Sequence, residues 1–203
     1  MRLLLADPVY SRVTALVRKP LGLHYPKLTE CIVDFDQLER HRDAVQGEDV
    51  FCCLGTTIKA AGSREAFRRV DFTYVAQTAA LSNKNGSHQF LLISSLGADA
   101  HSRIFYNRVK GEVEQAVSRL PFEAVKIFRP SLLLGKRKES RAGESFATVL
   151  MKAVSIILIG KLRKYRGIEA QTVARAMIRA AKEQRQGFEA IESDQIEMAG
   201  QEH

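Results

Sequence analysis

Runs that are apolar at nearly every position, instead of at every second one, constrain this chain most. Phe90-Leu91-Leu92-Ile93, Val13-Thr14-Ala15-Leu16-Val17 and Ala124 to Phe128 offer no consistently polar face to water. Strands of this kind are buried on both sides, which is the condition of a parallel sheet covered by helices on its two faces. Further short strands are expected at Cys31 to Val33, Asp49 to Leu54 and Phe188 to Ile191. Between them lie segments of helical spacing. One runs from a cap at Asp34 to about Val45, and others from Ser63 to Leu81, Ser102 to Arg119, Ser145 to Leu158 and Thr172 to Lys182. Strands alternating with helices specify an α/β fold with a doubly wound parallel sheet. At 203 residues, a single domain spans the chain.

Composition removes several classes of function. The three cysteines, Cys31, Cys52 and Cys53, form neither a metal-type Cys-x-x-Cys pair nor an even disulfide framework. Reduced thiols, a cytoplasmic location and no metal site are the expectation. The longest apolar run, Val149 to Ile159, is interrupted by Lys152 and falls short of the about 20 residues that span a bilayer. A core helix is expected there, with no membrane span. The apolar patch within Met1 to Pro8 is too short for a signal peptide. A net charge of +8 attracts phosphorylated partners of any size. The basic clusters Lys136 to Lys138 and Lys161 to Arg166 lack the interleaved aromatics of a single-strand-binding surface, and no DNA-reading motif accompanies them. They read as solvated faces, and nucleic acid is not the expected partner.

In a doubly wound sheet, ligands bind outside the carboxyl ends of the strands, near the point where strand order reverses. The polar groups at those ends are Arg18 and Lys19, Asp34 and Phe35, Gly55 to Thr57, Ser94 and Ser95, and Arg129 to Ser131. Each alone is an ordinary βα loop. Tyr106 and Lys110 are four apart on an expected helix and so share a face. The ammonium favours a phenolate, which lets the tyrosine exchange a proton with a carbonyl or alcohol oxygen.

The joint order of these groups carries a resemblance. Ser94-Ser95, Tyr106 to Lys110 and Phe128-Arg129-Pro130-Ser131, each after its strand, resemble the catalytic and cofactor segments of the short-chain dehydrogenase/reductase family. Ala15 to Gly22, Phe51 to Thr57, Ala66 to Asp71, Ser94 to Ala98, Phe105 to Glu112 and Arg129 to Gly135 narrow it to the atypical branch of Tat-interacting oxidoreductases, over roughly Leu3 to Ile191. The resemblance implies a Rossmann-like NAD(P)-binding domain and hydride transfer to or from a small carbonyl, alcohol or sugar-nucleotide. Tyr106 would be the general acid/base, and Lys110 would lower its pKa and bond the nicotinamide ribose. Ser95, with Ser94 as the alternative, would orient the carbonyl. Leu54, Gly55 and Thr56 would let the backbone approach the cofactor, and Asp34-Phe35 would hold the adenine. Val70, beside Asp71, and Arg129, Pro130 and Ser131 complete the cofactor segments. The substrate pocket is expected from Leu132 to Tyr165.

A basic pair, Arg18-Lys19, stands where an acidic residue would select NAD, so NADP is the expected cofactor. The chain departs from the family in having no Gly-x-x-Gly-x-x-Gly turn, since no glycine precedes Gly22. Leu3 to Pro8 matches the end of the helix that follows that turn. The expectation is therefore an N-terminally truncated domain with its first strand missing from between the strands at Val13 and Asp49. The alternative reading is a non-catalytic NADP(H)-sensing or protein-binding module of the same fold, with a protein partner.

Overall fold

The computed structural model describes residues 1–134 and 165–201. The helix expected from Ser145 to Leu158 and the cluster Lys136 to Lys138 lie outside them. The chain opens with α1 (Arg2–Ala6), followed by β1 (Val13–Val17) and β2 (Leu28–Ile32). A 3-10 helix (Phe35–Ala44) leads to β3 (Asp49–Cys52), α2 (Ile58–Ala61) and α3 (Arg64–Arg68). A π-helical turn (Arg69–Tyr74) joins α3 to α4 (Val75–Lys84). Then come β4 (Gln89–Ile93), α5 (Phe105–Ser118), β5 (Ala124–Arg129) and β6 (Leu133–Leu134). The chain closes with β7 (Ile168–Glu169), α6 (Ala170–Lys182), β8 (Gly187–Glu192) and α7 (Ser193–Gln201).

The expected parallel sheet is present. Its main part has the order β3-β4-β5-β8, every pair parallel, with Leu91 opposite Lys126 and Leu92 opposite Ile127. Successive residues of β4 point to opposite faces. Phe90 and Leu92 enter one cluster with Val75, Ala79, Val113 and Val117 of α4 and α5. Leu91 enters the other, with Val173, Ala176 and Met177 of α6 and Ile196 of α7. Both faces are covered, so a strand apolar at every position is what this architecture needs. Lys126 interrupts β5 without breaking the rule. Its stem is buried, and its ammonium donates to the Ala180 carbonyl near the negative end of the α6 dipole.

β1 and β2 form a separate parallel pair, and no ladder joins β1 to β3. Packing holds the two units together instead. Val33, Phe35, Leu38, Val45 and Leu81 form a third cluster, against which Leu16 of β1 and Leu54 after β3 pack. Ahead of β1, the Tyr10 hydroxyl donates to Asp49 Oδ2 at 2.8 Å, and its ring meets Phe51 edge-on at 5.9 Å. Lys27 fastens that segment by donating to the carbonyls of Asp7 and Tyr10 at 2.6 and 2.8 Å.

Several boundaries differ from expectation: β3 ends at Cys52 instead of Leu54, and α5 begins at Phe105 instead of Ser102. The second strand covers Leu28–Ile32 instead of Cys31 to Val33, because it is an edge strand paired to β1 and half exposed, so its apolar residues do not mark its length. The helix expected from Ser63 to Leu81 is interrupted by the π-helical turn at Arg69–Tyr74, a local insertion that leaves the apolar spacing on either side intact.

Candidate active site

The loop after β4 is tied to the end of β5. Ser94 N–H donates to the Phe128 carbonyl at 2.7 Å and Leu96 N–H to the Pro130 carbonyl at 2.9 Å. Gly97 then turns with φ +82°, a conformation costly for other residues. Asp99 N–H donates to the Asn107 carbonyl at 3.0 Å, which locks the loop to the first turn of α5. The hydroxyls of Ser94 and Ser95 are both buried, and neither has a hydrogen-bond partner among the described residues. Orphaned buried hydroxyls are rare and costly unless a ligand completes them.

Tyr106 and Lys110 stand on α5, as their spacing predicts. The Tyr106 ring lies 5.3 Å from that of Phe67, which is fully buried on α3. Lys110 is buried, and its Nζ stands 2.7 Å from Asp71 Oδ1. Asp71 is fully buried within the π-helical turn, and its Oδ2 accepts the Thr56 N–H at 2.8 Å. Turns of this type recur at functional sites because they redirect a side chain without ending the helix. Gly55 completes the group: a Cβ there would sit 3.3 Å from Asp71 Oδ1 and 3.6 Å from Lys110 Nζ. The missing side chain leaves the ion pair approachable over the exposed Gly55 backbone.

The remaining sequence candidates take other places. Arg18 and Lys19 are exposed at the carboxyl end of β1. Asp34 caps the 3-10 helix, accepting from Asp36 N–H at 3.0 Å and Gln37 Nε2 at 2.9 Å. Phe35 is buried, its ring 5.6 Å from that of Tyr74. Leu54 packs against two of the apolar clusters, and Val70 is half-buried beside Asp71. Arg129 turns to Glu114 of α5, donating from Nε at 3.1 and 3.2 Å to its two oxygens, and this partner raises the guanidinium pKa. Pro130 is buried. Ser131 donates its N–H to Ser193 Oγ at 3.1 Å and its hydroxyl to the Arg166 carbonyl. The loop after β5 therefore fastens α5, β7 and α7 around the site.

Sequence reasoning gave Asp71 little weight and passed over Glu114 and Gly111. Asp71 and Glu114 carried a signal, a carboxylate among the apolar positions of a helix. Gly111 carried another, a glycine inside a strongly amphipathic helix. A phenol and a buried ammonium on one helix, with a loop bonded to that helix whose buried hydroxyls have no partner among the described residues, can exchange a proton with an oxygen and orient it. Among the described residues no group of His, Cys, Asp or Glu could hold a metal ion, and no helix is long and apolar enough to cross a membrane.

No family model matches the chain. It is 43% identical over 148 residues to Protein HTATIP2 of Rattus norvegicus, covering 71% of this chain and 61% of that protein. To Protein FMP52 of Candida albicans it is 39% identical over 108 residues, or 53% of this chain and 47% of that one. The chain thus spans about half to three fifths of these two relatives. With the fmp52 protein of Aspergillus clavatus it shares 30% identity over 198 residues, covering 94% of this chain and 82% of that protein.

Among solved structures, the dTDP-glucose 4,6-dehydratase DesIV of Streptomyces venezuelae, with NAD and DAU bound, has a TM-score of 0.69 at 12% identity. That likeness covers 98% of this chain and 74% of DesIV. MoeE5 in complex with UDP-glucuronic acid and NAD has a TM-score of 0.67 at 15% identity, over 93% and 72%. Both likenesses show the fold. One expectation is overturned: the FMP52 proteins of three fungi are named mitochondrial, which points away from the cytoplasm. The three free cysteines do not choose among compartments. The chain belongs to the atypical short-chain dehydrogenase/reductase family, in the branch that holds HTATIP2 and the FMP52 proteins.

Proposed function

We propose that this chain is an NAD(P)-dependent oxidoreductase in which Tyr106 exchanges a proton with the reacting oxygen of a small carbonyl, alcohol or sugar-nucleotide. The observation that carries this reading is the placement of Tyr106 and the buried Lys110 on α5, locked to the loop that holds the unpartnered hydroxyls of Ser94 and Ser95. A nicotinamide dinucleotide, when bound, supplies the hydride donor or acceptor. The residues beside Lys110 fit such a group, since Gly55 leaves the space a side chain would fill and the ammonium is a strong donor for hydroxyl oxygens. Lys110, Gly55 and Thr56 would hold its nicotinamide end, and Asp34, Phe35, Leu54 and Val70 its adenine side. Arg129, Pro130 and Ser131 would act by setting the shape of the loop. Exposed Arg18 and Lys19 favour the 2′-phosphate of NADP over NAD.

In turnover Tyr106 donates its proton to a carbonyl oxygen during reduction and takes it back during oxidation. Ser95, with Ser94 as the alternative, orients that oxygen. A second reading, a non-catalytic NADP(H)-sensing or protein-binding module, is favoured by one observation. β1 and β3 are not laddered to one another, so the middle of the sheet offers strand edges to another segment or chain.

Tyr106→Phe separates the two. As an enzyme, the variant loses about 100-fold or more in turnover of an aldehyde and ketone panel while binding NADPH as before. Unchanged turnover rejects Tyr106 as the acid/base. A wild-type chain that binds NADPH and turns over none of the panel supports the second reading. NADH binding as tight as NADPH rejects the role given to Arg18 and Lys19.

A further inference from the structure

A groove of about 870 Å³ lies between α1, α6 and α7, a volume within the range of roughly 300–1,000 Å³ found for small-molecule sites. α6 and α7 cover the face of the sheet opposite α5, so the groove is remote from Tyr106. Leu3 of α1, Ile178 of α6 and Ala199 of α7 give it an apolar lining, and Arg175, Arg179 and Lys182 give it cations. Positions 175, 178, 179 and 182 form one stripe along α6, so the cations flank the buried Ile178 on the same helix face. The walls are fixed to one another. Gly200 of α7 lies against α6, where a Cβ would stand 2.3 Å from the Thr172 carbonyl oxygen, and Lys182 donates to Asp7 Oδ2 beside α1 at 2.9 Å. Two of the cations are answered within the chain, Lys182 by Asp7 and Arg179 by Glu183 at 3.5 Å. Arg175 is exposed and has no partner among the described residues.

We propose that this groove is a second binding site, separate from the Tyr106 centre, for a small phosphorylated molecule that carries a compact apolar part. The Arg175 guanidinium grips two oxygens of the phosphoryl group at once, and the charge of Arg179 one turn further along α6 adds attraction. Leu3, Ile178 and Ala199 take the apolar part out of water. Both halves of the ligand are needed: a bare anion leaves the apolar lining wet, and a neutral apolar molecule leaves the guanidinium unanswered. A soluble phosphomonoester and the headgroup of an acidic lipid share this chemistry. The site does not depend on the NAD(P) reading above.

The probe is phenyl phosphate, titrated calorimetrically into the wild-type chain, Arg175→Gln and Ala6→Phe. Arg175→Gln keeps the length of the side chain and removes its charge, and it is expected to weaken binding about tenfold, the scale of one charge-assisted contact. Ala6 is exposed on the α1 wall, so Ala6→Phe fills the groove without entering the core and abolishes binding. Inorganic phosphate is expected to bind wild type about tenfold more weakly than phenyl phosphate, and saturating NADPH leaves the phenyl phosphate affinity within about twofold. Sedimentation with phosphatidylcholine vesicles, with and without phosphatidic acid, separates the two sources. Binding that needs both phosphatidic acid and Arg175 assigns the site to a lipid headgroup, and phenyl phosphate binding without vesicle binding assigns it to a soluble ligand. A wild-type chain that does not bind phenyl phosphate overturns the proposal, as does Arg175→Gln within about twofold of wild type. Inorganic phosphate bound as tightly as phenyl phosphate overturns the ligand class, and full competition by NADPH overturns the separateness of the site. A chain that binds phenyl phosphate and neither NADPH nor NADH refutes the cofactor reading and leaves this site standing.

Discussion

Gly111 of α5 lies directly against the backbone of Ala100: a Cβ at Gly111 would stand 2.1 Å from the Ala100 nitrogen and 2.2 Å from the Asp99 carbonyl carbon. Glycine inside a helix costs roughly 0.5–1 kcal/mol relative to alanine, and here that cost permits the loop after β4 to touch the helix bearing Tyr106 and Lys110. Gly111→Ala gains helix propensity and loses the contact. Backbone cannot yield as a side-chain tip can, so the net effect is destabilisation of about 1–3 kcal/mol or more. At this chain length that lowers the melting temperature by roughly 3–10 °C. A variant that melts at or above the wild-type temperature refutes the contact.

Gly55 gives the opposite behaviour. It is exposed and does not adopt a left-handed backbone, so Gly55→Val should leave the melting temperature within a few degrees of wild type. Its side chain would rest over Lys110 and Asp71, whose charged atoms lie 3.6 and 3.3 Å from the added Cβ. NADPH binding should fall by about tenfold or more with the fold intact. Undiminished affinity would remove Gly55 from the cofactor surface.

The segment ahead of β1 is clipped to α6 by Lys182 Nζ, 2.9 Å from Asp7 Oδ2. Hydrogen bonding to Lys182, then to the Val9 N–H, holds the Asp7 pKa below the usual carboxylate value. A pKa depressed by folding contributes stability that is present above the unfolded value and is lost as pH falls through the folded one. Lys182→Met should therefore cost at most about 1 kcal/mol at pH 7, as Lys182 is well exposed, with the difference shrinking as pH falls through the lowered Asp7 pKa. Urea titrations of both chains at pH 7 and pH 3 check the sign; a gap that widens in acid contradicts it.

Cys52 is buried in the cluster under α4 and α5, and burial pushes its thiol up to about 12. Its thiolate is scarce at pH 8. Iodoacetamide should leave Cys52 unmodified in the native chain and label it fully in urea, as peptide mass mapping would show. Labelling in the native chain at the rate found in urea would mean that the core opens around β3.

Much of the fold was legible because burial writes directly into residue type. β4 is apolar at each position since helices cover both of its sides, and β1 begins and ends where the apolar run does. β2 was misplaced because an edge strand half open to solvent need not be apolar. The short pair β6 and β7 and the helix α7 gave no comparable signal; β6 and β7 have two residues each, too few for any periodicity to register.

The candidate site divides along the same line. The sequence alone determined that Tyr106 and Lys110 share a helix face and that Ser94 and Ser95 end a strand, since both follow from local periodicity. Only the tertiary structure decided what those groups meet. It set Asp71, thirty-nine positions before Lys110, at 2.7 Å from its ammonium. It turned Arg129 toward Glu114 and the Ser131 hydroxyl toward the Arg166 carbonyl, and it left two serine hydroxyls without partners among the described residues. The physical reason is that hydrogen bonds and ion pairs between distant segments depend on ångström-scale approach, and approach is set by packing, as at Gly111 and Gly55.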